Sequence, residues 1–250
     1  MSEEQQVIPA ATLVVMRDSP IGPPELLMVE RAASMRFAAG ALVFPGGRID
    51  AGDHAAALML PGDADDNAAR IAAIRETVEE AGLAVGVDVP PPAIPELRRA
   101  LYAGEPMPAS LAAAGATLRP ERLVPFARWL PHGALHRVFD TRFYLVRAPD
   151  DAHEPVVDGN ENVRVFWATA QTVLDDADAG RARIIFPTRR NLERLARFES
   201  FNDAVADAHA HPVETITPWT EERDGEKHLC IPEGRGYPVT SQRFDRVMRG

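Results

Sequence analysis

Three glutamates, Glu76, Glu79 and Glu80, stand at positions i, i+3 and i+4 of a helix-forming stretch. On a helix that spacing puts all three carboxylates on one face, where like charges repel by roughly 0.2–0.5 kcal/mol per pair. A bound cation turns that cost into a gain. Mg²⁺ and Mn²⁺ prefer oxygen ligands, and Mg²⁺ is commonly shared between carboxylates and substrate phosphates. Taken alone, the pattern also fits an acidic face turned to solvent, so the residues around it have to discriminate.

Two further segments do so. Gly46-Gly47-Arg48-Ile49-Asp50-Ala51-Gly52-Asp53 follows a short apolar run, and paired glycines after a strand allow close backbone approach to a ligand or metal. Ala73-Ile74-Arg75-Glu76-Thr77-Val78-Glu79-Glu80-Ala81-Gly82-Leu83 comes next. In this order the two segments resemble the two halves of the Nudix box, the strand-loop-helix that binds divalent cations in that family. The resemblance implies an α/β (α+β) fold, an α/β/α sandwich with a mixed central sheet. It also implies a pyrophosphohydrolase that uses Mg²⁺ or Mn²⁺ and a small-molecule nucleotide substrate. By position, Glu76, Glu79 and Glu80 become metal ligands, with Glu79 also catalytic and the Gly46 carbonyl a further ligand. Arg75 orients a box glutamate, by i,i+4 pairing with Glu79 or through Asp53. The family also implies an acid from a later loop as metal ligand or general base; Glu161 is the candidate, with Glu154 behind it. A homodimer is a family-level expectation.

The box departs from the family in two ways. Asp53 stands where glutamate is usual, and its shorter side chain is expected to reach metal only through water. It also lies 22 positions before Arg75, so an insertion over about residues 54–67 interrupts the box. That insertion reads as a surface loop, where extra length costs little and the helix ligands are undisturbed. An interrupted box resembles the branch of the Nudix 19 type, which acts on coenzyme A compounds. Upstream, Leu27-Met28-Val29-Glu30-Arg31-Ala32, then Arg36, Gly40 and Phe44-Pro45-Gly46-Gly47, resemble the signature of coenzyme A pyrophosphatases, with Val29 in place of threonine. Arg31 and Arg36 are thereby substrate-binding candidates, because arginine meets phosphate in bidentate fashion. Arg142, in Asp140-Thr141-Arg142-Phe143, is a third; its alternative is an ion pair with Asp140 or a neighbour. NADH, ADP-ribose and dinucleoside polyphosphates are the alternative substrates, and a non-catalytic nucleotide-binding module is the alternative class.

The elements that must position these residues are legible in outline. Val7–Met16 and Glu25–Glu30 read as strands of a hairpin, and Val138–Val146 and Val163–Thr169 as two more. The carboxylate helix is expected from about Ala68 to Ala81, capped by Asp66 or Asn67 and ended by Gly82. Helical patches near Glu96–Ala103 and Ala109–Ala114 suggest a small subregion over about 96–130. Ala170–Ala177 and Thr188–Ala208 read as helices, the second capped by Thr188, and Thr215–Pro232 as a hairpin around Arg223-Asp224-Gly225. Strands and helices interleave without repeat or linker, so residues 1–250 read as one elaborated domain.

Bulk properties exclude several other functions. A net charge of −10 opposes non-specific nucleic-acid binding, which needs a basic surface. The single cysteine, Cys230, cannot form an intramolecular disulfide. No signal peptide or apolar run of membrane length is visible, so a cytoplasmic location without membrane contact is expected. Cysteine and histidine show no zinc-type spacing, and no Walker or dinucleotide-binding loop is present. His132, His136 and His153 have no nucleophile to serve and read as surface or structural.

Overall fold

The apolar run near the start becomes β1 (Gln6–Arg17). Leu13 and Val15 alternate with Val14 and Met16, and all four are fully buried. A strand covered on both faces needs such an unbroken apolar run. β1 turns into β2 (Glu25–Arg31) as an antiparallel hairpin pairing Met16 with Leu26. The computed structural model describes residues 6–35, 38–131, 137–149, 152–159 and 161–247.

Next come β3 (Leu42–Val43) and β4 (Gly46–Arg48), the latter paired with Ala10 to Thr12 of β1. The box insertion follows, and it is not a loop excursion. It opens with a helix, α1 (Ala51–Ala57), and only a short turn separates this from the carboxylate helix, α2 (Ala64–Ala81). Ala56 and Ala57 are buried against α2 and join its core. α2 also starts four residues earlier than expected: the cap is Asp63, whose side chain accepts from the Asp66 amide. Asp65 and Asp66, which resemble loop chemistry, are instead the acidic first turn of a helix, where the helix dipole favours them.

β5 (Val87–Asp88) and β6 (Thr117–Leu118) pair and bracket the helical elaboration, α3 (Ile94–Tyr102) and α4 (Met107–Ala114). Leu97, Leu101, Met107 and Leu111 place these helices in the same core as α2. β7 (Val124–Trp129) is a strand that the sequence conceals behind Pro125. Its ladder with β8 (Arg137–Arg147) shifts register between Pro125 and Ala127. Such an irregularity tolerates a residue with no N–H to give. β8 lies parallel to β1 along its whole length. β9 (Asn162–Thr169) lies antiparallel to β2.

α5 (Ala170–Asp178) follows β9. The single helix expected over Thr188–Ala208 is two, α6 (Phe186–Leu195) and α7 (Phe201–Ala210). Thr188 is buried inside α6 and does not cap it; α6 starts after Ile185 with proline in its first turn. Ser200 accepts from the Asp203 amide and begins α7 anew. β10 (Thr215–Ile216) joins β7 at the sheet edge. β11 (Trp219–Arg223) and β12 (Glu226–Cys230) form the expected hairpin, to which β13 (Ser241–Arg243) adds a third strand.

The main sheet of the described residues runs β10-β7-β8-β1-β2-β3, with β4 on β1 and β9 on β2. Leu13, Val15, Leu27 and Tyr144 pack on α2 from one face. Val14, Met16, Leu26 and Leu145 pack on α5, α6 and α7 from the other. The result is the α/β/α sandwich with a mixed sheet. Among the described residues no helix is long and apolar enough to cross a membrane.

Candidate active site and metal centre

Arg75 is the hub of the box. Its guanidinium meets Asp53 in bidentate fashion, Nε to Oδ1 at 3.1 Å and Nη2 to Oδ2 at 2.9 Å. Nη1 also donates to Glu76 at 2.9 Å and Glu79 at 3.3 Å, and Nη2 to the Arg48 carbonyl at 3.0 Å. These anionic partners hold the guanidinium more firmly protonated than usual, against the cost of its burial. Asp53 is only 1% exposed, and its Oδ2 also accepts the Asp50 amide at the start of α1. Both of its oxygens are thus already engaged by the protein. The orienting partners expected of Arg75, Glu79 and Asp53, are both in contact with it.

The two glycines make different close approaches. A Cβ on Gly47 would fall 2.2 Å from Glu76 Oε1, and one on Gly46 would fall 2.5 Å from the Ala11 carbonyl oxygen. Gly47 leaves room for a carboxylate, and Gly46 lets β4 lie against β1. The Gly46 amide donates to Glu80 Oε2 at 3.0 Å. The other Glu80 oxygen accepts from Asn162 Nδ2 at 3.1 Å and faces Arg31 Nη1 at 3.9 Å.

The electrostatics differ from those of a solvated acidic face. Glu80 is 4% exposed. Burial, then repulsion by Glu76, pushes its carboxyl up to about 8. The same two causes push Glu79 up to about 7, and burial raises Glu76 as well. All three stand in the last two turns of α2, whose final turn carries no basic residue. For Glu79 and Glu80, in the final turn, the negative end of the helix dipole adds to this, by typically 0.3–1 kcal/mol each. A hard divalent cation relieves every one of these costs, and an all-oxygen donor set is what Mg²⁺ and Mn²⁺ take. Cβ atoms at these helical spacings lie about 5–6 Å apart, which puts the carboxylates within bridging reach. Their side chains are not drawn to a common point: among the described residues no three His, Cys, Asp or Glu side chains form a ready metal cage. The donor chemistry fits; Arg75 stands between Glu76 and Glu79.

Other candidates divide. The β2–β9 pairing sets Arg31 opposite Asn162, which brings Arg31 to Glu80 and carries Glu161 close enough for its charge to raise Glu76. Arg36 lies outside the described residues, as do His132 and His136. Arg142 is not brought to this cluster. It faces Asp66 at 3.9 Å, fourteen residues before Glu80 on α2 and so about 20 Å along the helix. Asp140 pairs with Arg128 at 2.6 Å, not with Arg142. Glu154 is exposed and faces Arg17 at 3.6 Å, and His153 contacts the Glu154 carbonyl. A cavity of about 540 Å³, lined by Asp63, Asp66, Arg70 and His209 among others, also lies at the far end of α2.

Sequence reasoning missed two residues here. Arg98 of α3 donates to the Glu79 carbonyl at 2.9 Å and the Val156 carbonyl at 2.8 Å, satisfying carbonyls that a helix end leaves unpaired. Nothing marks it in the sequence, where it reads as one more surface arginine. Asn162 had one available signal, its position beside Glu161.

No family model matches the chain. Among similar solved structures is a NUDIX hydrolase from Alicyclobacillus acidocaldarius, 29% identical, with a TM-score of 0.72, covering 81% of this chain and 97% of that one. A MutT protein from Methanosarcina mazei Go1 is 15% identical with a TM-score of 0.43, covering 78% of this chain and 97% of that one. The NUDIX domain of Shewanella oneidensis NrtR complexed with ADP ribose is 13% identical with a TM-score of 0.42, covering 77% and 87%. Of these three, the Alicyclobacillus enzyme is the one that overlays well enough to carry weight. In fold the chain is similar to that NUDIX hydrolase, and its box residues resemble the Nudix box. The likeness to that enzyme supports reading the chain as a hydrolase.

Proposed function

We propose that this enzyme hydrolyses the diphosphate of a nucleoside diphosphate linked to a second moiety, with coenzyme A or an acyl-coenzyme A as the preferred substrate. The observation that carries the reaction type is the set of three carboxylates, Glu76, Glu79 and Glu80. They are desolvated on one helix face and pushed upward in pKa by burial and mutual repulsion. Such a set is costly to keep unless a cation repays it. Glu76, Glu79 and Glu80 would hold Mg²⁺ or Mn²⁺, with the Gly46 carbonyl as a further ligand. When bound, the cation supplies charge neutralisation on the diphosphate and lowers the pKa of water.

The chain's own groups divide the remaining work. Arg75 anchors Glu76 and Glu79 to Asp53, so the ligand face does not depend on free rotamers. Glu161, exposed and near enough for its charge to raise Glu76, would accept the proton of the attacking water. Arg31, one of whose buried nitrogens, Nε, has no hydrogen-bond partner among the described residues, offers a donor to a phosphate oxygen. Attack of water on one phosphorus of coenzyme A breaks the P–O–P bridge and yields 3′,5′-ADP and 4′-phosphopantetheine. The preference for coenzyme A is supported by the spacing of Arg31, Arg36 and Gly40 before the glycine pair.

The test is a substrate panel of coenzyme A, acetyl-coenzyme A, NADH, ADP-ribose and a dinucleoside polyphosphate, each with Mg²⁺, with Mn²⁺ and with chelator. Metal-dependent release of 3′,5′-ADP, with kcat/KM highest for the coenzyme A compounds, is the expected result. Turnover of NADH or ADP-ribose alone would remove the substrate assignment. Equal turnover in chelator would remove the metal.

A further inference from the structure

Glu80 is the most enclosed of the three carboxylates, and its hydrogen bonds are not those of a surface acid. Its donors are neutral: the Gly46 amide on one oxygen and Asn162 Nδ2 on the other. Arg31 stays at 3.9 Å, beyond hydrogen-bond distance. A neutral donor aims a carboxylate without cancelling the charge that a cation needs.

Asn162 is itself fixed. It is 1% exposed. Asp158 accepts its backbone amide at 3.0 Å and its side-chain Nδ2 at 3.2 Å. Both hydrogens of Nδ2 are thereby spent, one on Glu80 and one on Asp158. Turning the amide over would set Oδ1 against two carboxylates. In the orientation adopted, Oδ1 is buried without a protein partner among the described residues, so the donor side alone is served.

Asp158 leads outward. Desolvation first, and then a hydrogen bond to the Asp158 carboxylate, raise the pKa of the Tyr102 phenol of α3. One turn earlier on α3, Arg98 donates to the Glu79 and Val156 carbonyls, and the Val156 amide donates to the Ala81 carbonyl. The strand-side strap 152–159 is therefore stitched to the end of α2 from both sides.

We propose that Asn162 is a positioning residue for Glu80, and that the helical elaboration reaches the metal site through it, by way of Tyr102 and Asp158. This rests on the metal-dependent reading given above. The experiment measures Mn²⁺ affinity of the full chain from the electron paramagnetic resonance signal of free Mn²⁺, beside the thermal midpoint, for wild type, Asn162→Ala and Tyr102→Phe. Loss of an outer partner of a metal ligand typically weakens metal binding about 10-fold or more. That loss is expected for Asn162→Ala, and a smaller one in the same direction for Tyr102→Phe. Tyr102 is exposed, and the phenylalanine variant keeps its ring, so a merely structural role leaves Mn²⁺ affinity unmoved there. Should Asn162→Ala not fold, Tyr102→Phe decides. Unchanged affinity in the folded variants overturns the proposal, and a loss in Asn162→Ala alone overturns the reach through α3. A wild-type chain that binds no Mn²⁺ overturns the metal reading itself.

Discussion

The two ends of α2 are built on opposite rules. At the start, everything satisfies everything else. Asp63 caps the helix, Asp66 takes hydrogen bonds from Arg70 and from the Tyr144 hydroxyl, and Arg70 reaches the carbonyls of Pro120 and Leu123. Negative charge there also agrees with the helix dipole. At the end, Glu76, Glu79 and Glu80 repel one another, with Glu80 buried, Glu76 and Glu79 half-buried, and Glu79 and Glu80 opposing the dipole. Two arginines offset this: Arg75 along one side and Arg98 on the terminal carbonyls. One helix thus carries a stabilising end and a costly end, and the cation proposed above would offset what the two arginines leave.

Breaking that contrast at the costly end should give the largest effects. Glu79→Gln is expected to lower kcat on the order of 10²–10⁴-fold with no loss of thermal midpoint, because the variant removes a repelled charge. A lowered midpoint, or near wild-type turnover, would contradict the ligand role. Arg75→Ala should cost both stability and activity. It leaves Asp53 buried without its counter-charge, which typically destabilises by about 3–5 kcal/mol; chemical denaturation measures it.

The pH dependence sharpens the same point. Glu79 and Glu80 titrate near 7 and 8 in the fold, against an ordinary value of 4.5. A carboxylate raised on folding binds more protons in the native than in the unfolded state, so stability falls as pH rises through that interval. In chelator the thermal midpoint should therefore decline from about pH 5 to pH 8. Added Mg²⁺ or Mn²⁺ should restore it most at the alkaline end. A flat profile in chelator would mean that the three carboxylates are not desolvated together. The smallest effect is expected at the satisfied end. Tyr144→Phe removes one hydrogen bond to Asp66 and should cost about 1 kcal/mol while leaving kcat unchanged.

The insertion shows where reading a sequence stops. Asp53 looks like a weakened ligand separated from the box by a loop. In the fold it is the partner of Arg75, and the residues after it form α1 and part of the core. Composition misled there, because alanines and aspartates around Pro61-Gly62 serve a turn and a helix cap equally well. Thr188–Ala208 misled for a related reason: its periodicity continues across the break, and only the Ser200 cap marks it. β7 stayed hidden because Pro125 argues against a strand until the register shift beside it is seen.

The spacing of Glu76, Glu79 and Glu80, the glycine pair and the Gly82 stop are local features. Helical geometry converts them into a shared carboxylate face whatever the rest of the chain does. Which groups meet that face is not local. Arg31, Asn162 and Glu161 arrive because β2 pairs with β9, and Arg98 because α3 packs on the end of α2. Those choices join residues far apart in the chain through burial and sheet register, and no short-range pattern encodes them. The sequence by itself determined what the helix could hold; the tertiary structure decided how its carboxylates are aimed, how deeply they are desolvated, and which candidate cation, Arg31 or Arg142, stands beside them.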